Sequence, residues 1–157
     1  ILSKETPLTI RTYPLPGREE ARMLLVAEFK NYFFACTHLS LTEEDRLASL
    51  DIIKNSVGKS EKPYFLAGDL NDKPDSKFIQ ALQQDFQVLT HIKKPTFPAP
   101  EPTETIDYIA GRIGSSPVVY TTSHGIETKR TVPYQALFAE SGEQWHDHCV
   151  GNYNSCI

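Results

Sequence analysis

The stretch that decides the fold is Pro63-Tyr64-Phe65-Leu66-Ala67-Gly68-Asp69-Leu70-Asn71. Its first five residues form a short apolar run that is typical of a buried strand. The run stops at Gly68, and Asp69 and Asn71 follow where the strand passes into a loop. This stretch therefore predicts a buried strand that carries a carboxylate and an amide to the edge of a sheet.

Three further strands are predicted on the amino-terminal side. Leu8–Tyr13 alternates apolar and polar residues, and Met23–Phe29 is rich in aliphatic and aromatic residues. The residues between them, Pro14-Leu15-Pro16-Gly17, favour a turn. Tyr32–His38 is too short for a helix and is predicted to pair with Met23–Phe29 in a hairpin that ends at His38.

Two amphipathic helices are predicted around this strand. Thr42 is a candidate N-cap, and the acidic residues that follow it suit the positive end of a helix dipole. Apolar residues three or four positions apart then mark one helix face, and Gly58 closes the helix. These residues are Leu47, Leu50, Ile53 and Val57. A second helix is indicated by Phe78, Ile79 and Leu82.

The rest of the chain predicts more strands and one long loop. Phe86–Thr90, Val118–Thr122 and Tyr134–Ala139 are strand candidates. Lys93–Thr105 contains four prolines and is predicted to be an irregular surface loop. Because there is no internal repeat and no linker, residues 1–157 are predicted to form one α/β or α+β unit.

Composition narrows the functional classes. The formal net charge of -4 gives no overall electrostatic attraction for nucleic acid, although a local basic patch stays open. The three cysteines match neither a disulfide framework nor a paired zinc motif. No apolar run is long enough to span a bilayer, which predicts a soluble chain. The first residue is Ile1, so a signal removed upstream, and hence export, stays open; compartment and oligomeric state are undetermined.

Polar groups follow or end several of the apolar segments. They are His38, Asp69 with Asn71, Asp107, and Asp147 with His148. Side chains at strand ends are held by a rigid scaffold and still meet solvent, so we expect them to converge at one edge of the sheet. Carboxylate and amide oxygens suit Mg²⁺ or Mn²⁺, and imidazoles can donate protons, which together favour phosphate chemistry.

Each of these residues also has a structural interpretation. Asp69 after a glycine is typical of a turn. Asp107 between apolar residues is about as consistent with a structural salt bridge as with a role in the site. His146 and His148, with Cys149 nearby, are a weaker candidate for zinc. An EF-hand loop starting at Asp69 is excluded because its sixth position is Pro74 and its twelfth is Gln80.

In order along the chain, four motifs resemble those of the endonuclease/exonuclease/phosphatase (DNase I-like) superfamily. They are Thr37-His38-Leu39, Gly68-Asp69-Leu70-Asn71, Ile106-Asp107-Tyr108, preceded by Thr96-Phe97-Pro98, and Asp147-His148. The resemblance implies a four-layer α/β sandwich, of which residues 1–157 are the carboxy-terminal part without the amino-terminal portion. It also implies a divalent-metal-dependent phosphoesterase, either a nuclease or a phosphatase.

The resemblance assigns a role to each site residue. Asp69 would orient or activate the attacking water, and Asn71 would hold the phosphate and the Asp69 side chain. Asp147 would help to bind Mg²⁺ or Mn²⁺. Asp107 would pair with His148 and hold its imidazole at the scissile phosphate, and His38 would be a second phosphate contact.

Two features depart from the family pattern. Nothing ahead of Thr37 matches the Asn motif and the metal-binding Glu motif of the family's amino-terminal half, and His146 stands where the family usually has Ser. We therefore expect this chain alone to be catalytically impaired. A noncatalytic binding or scaffold protein with the same fold is the alternative. The expected substrates are a phosphorylated small molecule, a lipid headgroup or nucleic acid, and the acidic balance slightly favours the first two.

Overall fold

The computed structural model of the protein describes residues 1–98 and 100–113. Within these residues, six strands and two helices surround a continuous core. In chain order the elements are β1 (Thr9–Leu15), β2 (Arg22–Glu28), β3 (Phe33–His38), α1 (Glu43–Asn55), β4 (Tyr64–Asp69), α2 (Lys77–Leu82), β5 (Phe86–Val88) and β6 (Asp107–Arg112).

The six strands form one mixed sheet in the order β1-β2-β3-β4-β6-β5. β3 and β4 are parallel and are joined by a crossover through α1, whereas the other neighbouring strands are antiparallel. β2 and β3 form the predicted hairpin. The parallel pair lies in the middle of the sheet, which explains why the β4 sequence is a continuous apolar run.

Both helices pack on the same face of the sheet. Leu50 and Ile53 of α1 and Phe78 of α2 belong to one buried cluster with Val26 and Leu66 of the strands. The opposite face carries a smaller cluster that includes Ala27 and Phe65. The α/β class is therefore confirmed, and the described residues supply one sheet and the helices that cover it. This corresponds to two of the four layers that the resemblance implies.

The structure corrects several predicted boundaries, and β5 ends at Val88 instead of Thr90. β1 continues through Pro14 to Leu15, where a turn was expected; β1 is an edge strand, so the N–H that proline lacks is not needed in the sheet. α1 ends at Asn55, although Val57 still packs in the core and Gly58 closes the turn with φ 58°. β4 runs on through Gly68 to Asp69.

Two further predictions are refined. Thr42 stands at the N-cap position, but its hydroxyl donates to Glu19 Oε1 at 2.6 Å and makes no capping bond. Asp107 lies at the start of its strand, not at the end. The predicted strands Val118–Thr122 and Tyr134–Ala139 lie outside the described residues. Among the described residues, no helix has the length and apolar character that crossing a membrane requires.

Candidate active site

Three of the predicted site residues lie side by side in the sheet. His38 ends β3 and is in register with Asp69, which ends β4. Asp69 is in turn in register with Asp107, the first residue of β6. Because β6 is antiparallel to β4, the start of one strand meets the end of the other. His38, Asp69 and Asp107 therefore form one row across three neighbouring strands, called the polar row below.

Asp69 is fixed in orientation by the loop that follows it. The backbone N–H of Asn71 donates to Asp69 Oδ1 at 2.8 Å, and His38 Nε2 lies 3.6 Å from Asp69 Oδ2. Asn71 adopts a left-handed conformation with φ 52°, which asparagine tolerates well. Its side-chain Nδ2 donates to the carbonyl of Leu39 at 2.7 Å. Asn71 thus holds Asp69 through its backbone and joins the ends of β3 and β4 through its side chain.

Gly68 allows β3 and β4 to approach closely beside the polar row. Its φ is 144°, and a Cβ at this position would lie 1.9 Å from the carbonyl oxygen of Thr37. Such a distance is far inside van der Waals contact, so no residue with a side chain fits without a backbone shift. Glycine is therefore a structural requirement of the site and not only a signal for the end of a strand.

The surroundings of Asp69 disfavour its ionised form. Burial raises the pKa of its carboxyl, and the neighbouring Asp107 carboxylate raises it further. The Asn71 N–H, His38 and Arg22 act in the opposite direction, but the pKa of Asp69 is raised overall. A partly desolvated carboxylate next to a second one is the arrangement expected of a general base or of a group that meets a cation.

Arg22 is a site residue that sequence reasoning missed. It begins β2, its side chain is 5% exposed, and its guanidinium forms an ion pair with Glu20 at 2.7 Å. Its buried Nε has no hydrogen-bond partner among the described residues. Arg22 is also one of the charges that act on Asp69. The sequence shows only an arginine before an apolar run, because it does not reveal that this side chain is buried beside the depression.

His38 and Asp69 of the polar row open into a surface depression of about 690 Å³, whereas Asp107 is not among the residues that line it. His38, Asp69, Asn71 and Arg22 line it together. Its wall includes Asp72, which accepts from Arg46 Nε at 2.9 Å in an ion pair that is largely buried. The Tyr108 hydroxyl donates to the backbone carbonyl of Asp72 at 2.8 Å. These bonds connect the loop after β4, which forms this part of the wall, to α1 and to β6.

The surface charge of the depression is mainly acidic. Two cationic side chains, Arg22 and Lys73, line it, whereas the acidic residues are more numerous. The acidic residues are Glu20, Asp69, Asp72, Asp75 and Glu104. Several of these carboxylates are neutralised by ion pairs, namely those of Arg22–Glu20, Arg46–Asp72 and Lys73–Glu104. The polar row itself retains an excess of negative charge.

Comparison with known proteins finds similarity in structure. No protein-family model matches the sequence, and no curated protein is similar to it in sequence. Among solved structures, mannosyl-6-phosphatase from Bacteroides thetaiotaomicron matches with a TM-score of 0.56 at 14% identity, over 69% of this chain and 53% of that one. An endonuclease/exonuclease/phosphatase from Bacteroides vulgatus matches with a TM-score of 0.52 at 18% identity, over 69% of this chain and 54% of that one.

The active subunit of cytolethal distending toxin matches with a TM-score of 0.54 at 17% identity, over 76% of this chain and 49% of that one. The fold is that of the endonuclease/exonuclease/phosphatase proteins. The chain spans about half the length of the solved structures that it matches. These matches confirm the predicted fold over about two thirds to three quarters of the chain.

Part of the predicted site lies outside the residues that the structure describes. Asp147 and His148 lie outside residues 1–113, as do His146 and Cys149 of the zinc alternative. Within the described part of the chain, no hydrogen bond or ion pair involves the Asp107 carboxylate. Its predicted pairing with His148 therefore stays a prediction, and so does the role of Asp147 in metal binding.

The described residues offer oxygen donors of the type that a divalent metal prefers, but too few of them to complete a metal site. Asp69 and Asp107 offer the hard oxygens that Mg²⁺ and Mn²⁺ prefer. Across residues 1–98 and 100–113, however, no group of three or more His, Cys, Asp or Glu side chains is arranged to hold a metal ion. A complete metal site in this fold needs ligands in addition to those of the polar row.

Proposed function

We propose that the full-length protein hydrolyses a phosphomonoester or a phosphodiester by attack of an activated water, with Mg²⁺ or Mn²⁺ as the cofactor. The observation that carries the proposal is the polar row, which unites a carboxylate with a raised pKa, a second carboxylate and an imidazole at one edge of the sheet. This edge opens into a depression large enough for a small substrate.

Asp69 is the proposed group that orients and deprotonates the water. A general base works best when its pKa lies close to the working pH, and burial shifts the pKa of Asp69 in that direction. The hydrogen bond from the Asn71 N–H occupies Oδ1. Oδ2 faces His38 and is the oxygen that would accept a proton from a water bound in the depression.

His38 and Arg22 are the proposed phosphate contacts. The His38 imidazole is partly exposed and lies beside Asp69, so it can donate to a nonbridging phosphate oxygen. The Arg22 guanidinium is buried, and its Nε has no partner among the described residues. Arg22 also lines the depression, so its guanidinium can meet a phosphate oxygen there. Both residues would stabilise the charge that develops on the phosphoryl group.

The metal and the leaving group involve the carboxy-terminal residues. When bound, Mg²⁺ or Mn²⁺ would neutralise charge on the phosphoryl oxygens. Asp147 is the proposed metal ligand in this chain, and the described residues leave the rest of the ligand set unassigned. Asp107 would orient the imidazole of His148 toward the scissile phosphate. For this reason we expect the 157-residue chain alone to be impaired and the full-length protein to be active.

The charged side chains of the depression and the structurally similar proteins support a broad substrate class. Those relatives include a mannosyl-6-phosphatase and a zebrafish protein complexed with a single-stranded DNA product, which matches with a TM-score of 0.50. The acidic depression repels a polyanion, so a phosphorylated small molecule or a lipid headgroup is favoured over nucleic acid.

The test is hydrolysis of phosphomonoesters and phosphodiesters by the full-length protein, with and without EDTA. We expect EDTA to abolish hydrolysis and Mg²⁺ or Mn²⁺ to restore it. Asp69→Ala should lower kcat/KM by about 10³-fold, because it removes the group that positions the water. Asp51→Ala, which changes an exposed acid on α1, is the matched control and should keep full activity. Activity that survives both EDTA and Asp69→Ala would refute the proposal.

A noncatalytic binding or scaffold protein is the second candidate. The observation that favours it is the small number of metal ligands among the described residues. Calorimetric titration of the full-length protein with Mn²⁺ separates the two functions. A heat signal from specific Mn²⁺ binding supports the enzyme. Absence of this signal together with absence of hydrolysis supports the scaffold.

A further inference from the structure

Phe97 is a large aromatic residue left 46% exposed where it lines the depression. Its backbone is nevertheless well fixed. The N–H of Phe97 donates to the carbonyl of Glu104 at 2.8 Å, and the N–H of Glu104 donates back to the carbonyl of Phe97 at 2.8 Å. Phe97 is therefore part of a small hairpin within the connection from β5 to β6, which is called the rim hairpin below.

The rim hairpin is attached directly to the polar row. Lys73 Nζ, in the loop after β4, lies 2.6 Å from Glu104 Oε1. The hydroxyl of Thr96, the residue before Phe97, accepts from the N–H groups of Ile106 and Asp107 at 3.0 and 3.1 Å. The backbone of Phe97 is thus held at a set position relative to Asp107, and its exposed ring faces the depression from this fixed support.

Leu41 is a second exposed apolar residue of the same depression. It is 64% exposed and follows β3, whereas the rim hairpin precedes β6. Because β4 lies between β3 and β6 in the sheet, these two residues come from either side of the strand that carries Asp69. The polar row is therefore flanked by one apolar side chain from each neighbouring strand connection.

Single exposed apolar side chains are common and need no explanation in most places. Leu41 and Phe97 differ from Ile92, which is 50% exposed but does not line the depression. Both of them meet the space in which a phosphate ester would bind. An aromatic face binds the face of another ring well, and a flat apolar wall binds little of a short open-chain alcohol.

We infer that the substrate is a small phosphate ester of an uncharged, ring-bearing alcohol, and that Phe97 determines this specificity by packing against the ring. The inference rests on the proposed function and specifies its substrate class. The phosphate would lie over the polar row, and the ring would lie against Phe97 with Leu41 on the other side. The excess of acidic side chains in the depression disfavours leaving groups that carry further phosphates.

The test uses three alcohols, each as its phosphate monoester and as its methyl phosphodiester: a hexose, a nucleoside and glycerol. With the full-length wild-type protein, we expect KM to be lower for one of the ring-bearing alcohols than for glycerol. The alcohol with the lower KM tells whether the ring is a sugar or a base. Phe97→Ala should raise that KM by about 10-fold, with kcat and the glycerol esters changed by less than about 2-fold.

Two control variants accompany Phe97→Ala. Phe97→Tyr keeps the aromatic face and should keep the low KM. Ile92→Ala removes an exposed apolar side chain from the same connection and should have no effect. Equal losses for ring-bearing and glycerol esters, or no loss for either, would overturn the inference while the proposed function stands. Failure of the wild-type protein to hydrolyse any of the esters would overturn both.

Discussion

The two faces of the central strand β4 show how one short sequence supplies both a core and a site. On one face, Tyr64 and Leu66 are buried under the helices. On the other face, Phe65 and Ala67 are also buried, but the next residue in the alternation is Asp69. One face therefore stays apolar along the strand, while the other changes from apolar to acidic within a few residues. Because side chains alternate, the packing of the first face fixes the position of the carboxylate on the second.

The largest effect is expected where β3 and β4 approach most closely. Gly68→Ala would put a Cβ against the Thr37 carbonyl, and relief of that clash requires the strands to separate. We expect a loss of about 4 kcal/mol in the free energy of unfolding, or no folding at all, measured by urea denaturation. Gly58→Ala is the matched control. It also has a positive φ, but no atom lies within 4 Å of its Cβ, so the expected loss is only about 1 kcal/mol.

The next effect compares a buried residue on the helix-covered face of the sheet with an exposed residue of a neighbouring part of the sheet. Leu66→Ala should cost about 3 kcal/mol, because it leaves a cavity in the cluster shared by both helices and the sheet. Met23→Ala, which changes a side chain that is 51% exposed, should cost less than about 0.5 kcal/mol. Equal losses for the two variants in thermal or urea denaturation would contradict the assignment of the core to the helix-covered face.

The smallest effect concerns the loss of stability caused by the charged Asp69 carboxylate in its partly buried site. Since the pKa of Asp69 is raised in the folded state, its stabilising contribution is full below the unfolded pKa of about 3.9 and is lost as the pH rises through the folded pKa. Asp69→Asn should therefore stabilise the protein at neutral pH by up to about 1 kcal/mol while it abolishes activity.

Below pH of about 3.5 the two proteins should have the same stability, because Asp69 is then protonated in both folded and unfolded states. The measurement is urea denaturation of wild type and Asp69→Asn as a function of pH. A variant that is less stable than wild type at neutral pH would show that the Asp69 charge stabilises the fold, contrary to its surroundings.

Local sequence patterns predict most of the elements and the β2–β3 hairpin, but not the order of the other strands in the sheet. The apolar runs of β2, β3 and β4 and the spacing in α1 indicate the correct element types, because burial imposes a period of two on strands and of 3.6 on helices. Pro14 was assigned to a turn because a single sequence does not show that β1 is at the edge of the sheet. Only there does a strand tolerate the missing N–H of proline.

The sequence likewise predicted only some of the residues of the site. His38, Asp69 and Asp107 could be found because each adjoins an apolar run, although Asp107 proves to begin its strand. Arg22 could not, because its importance depends on the burial of its Nε and on its place in the wall of the depression. Phe97 lay within a proline-rich loop, where sequence gives no indication of which side chain faces the depression. Asp147 and His148 stay predictions.

The ion pair between Arg46 and Asp72 makes the loop after β4 part of the cooperative unit of the protein. Arg46 lies within α1 and also donates to the carbonyl of Ser40 at 3.0 Å, so one buried guanidinium joins the helix, the end of β3 and the loop. Amide hydrogens of residues 70–72 would then exchange with solvent only when α1 itself detaches from the sheet. The loop after β4 would then have no local opening of its own, and it would keep its conformation for as long as the domain stays folded.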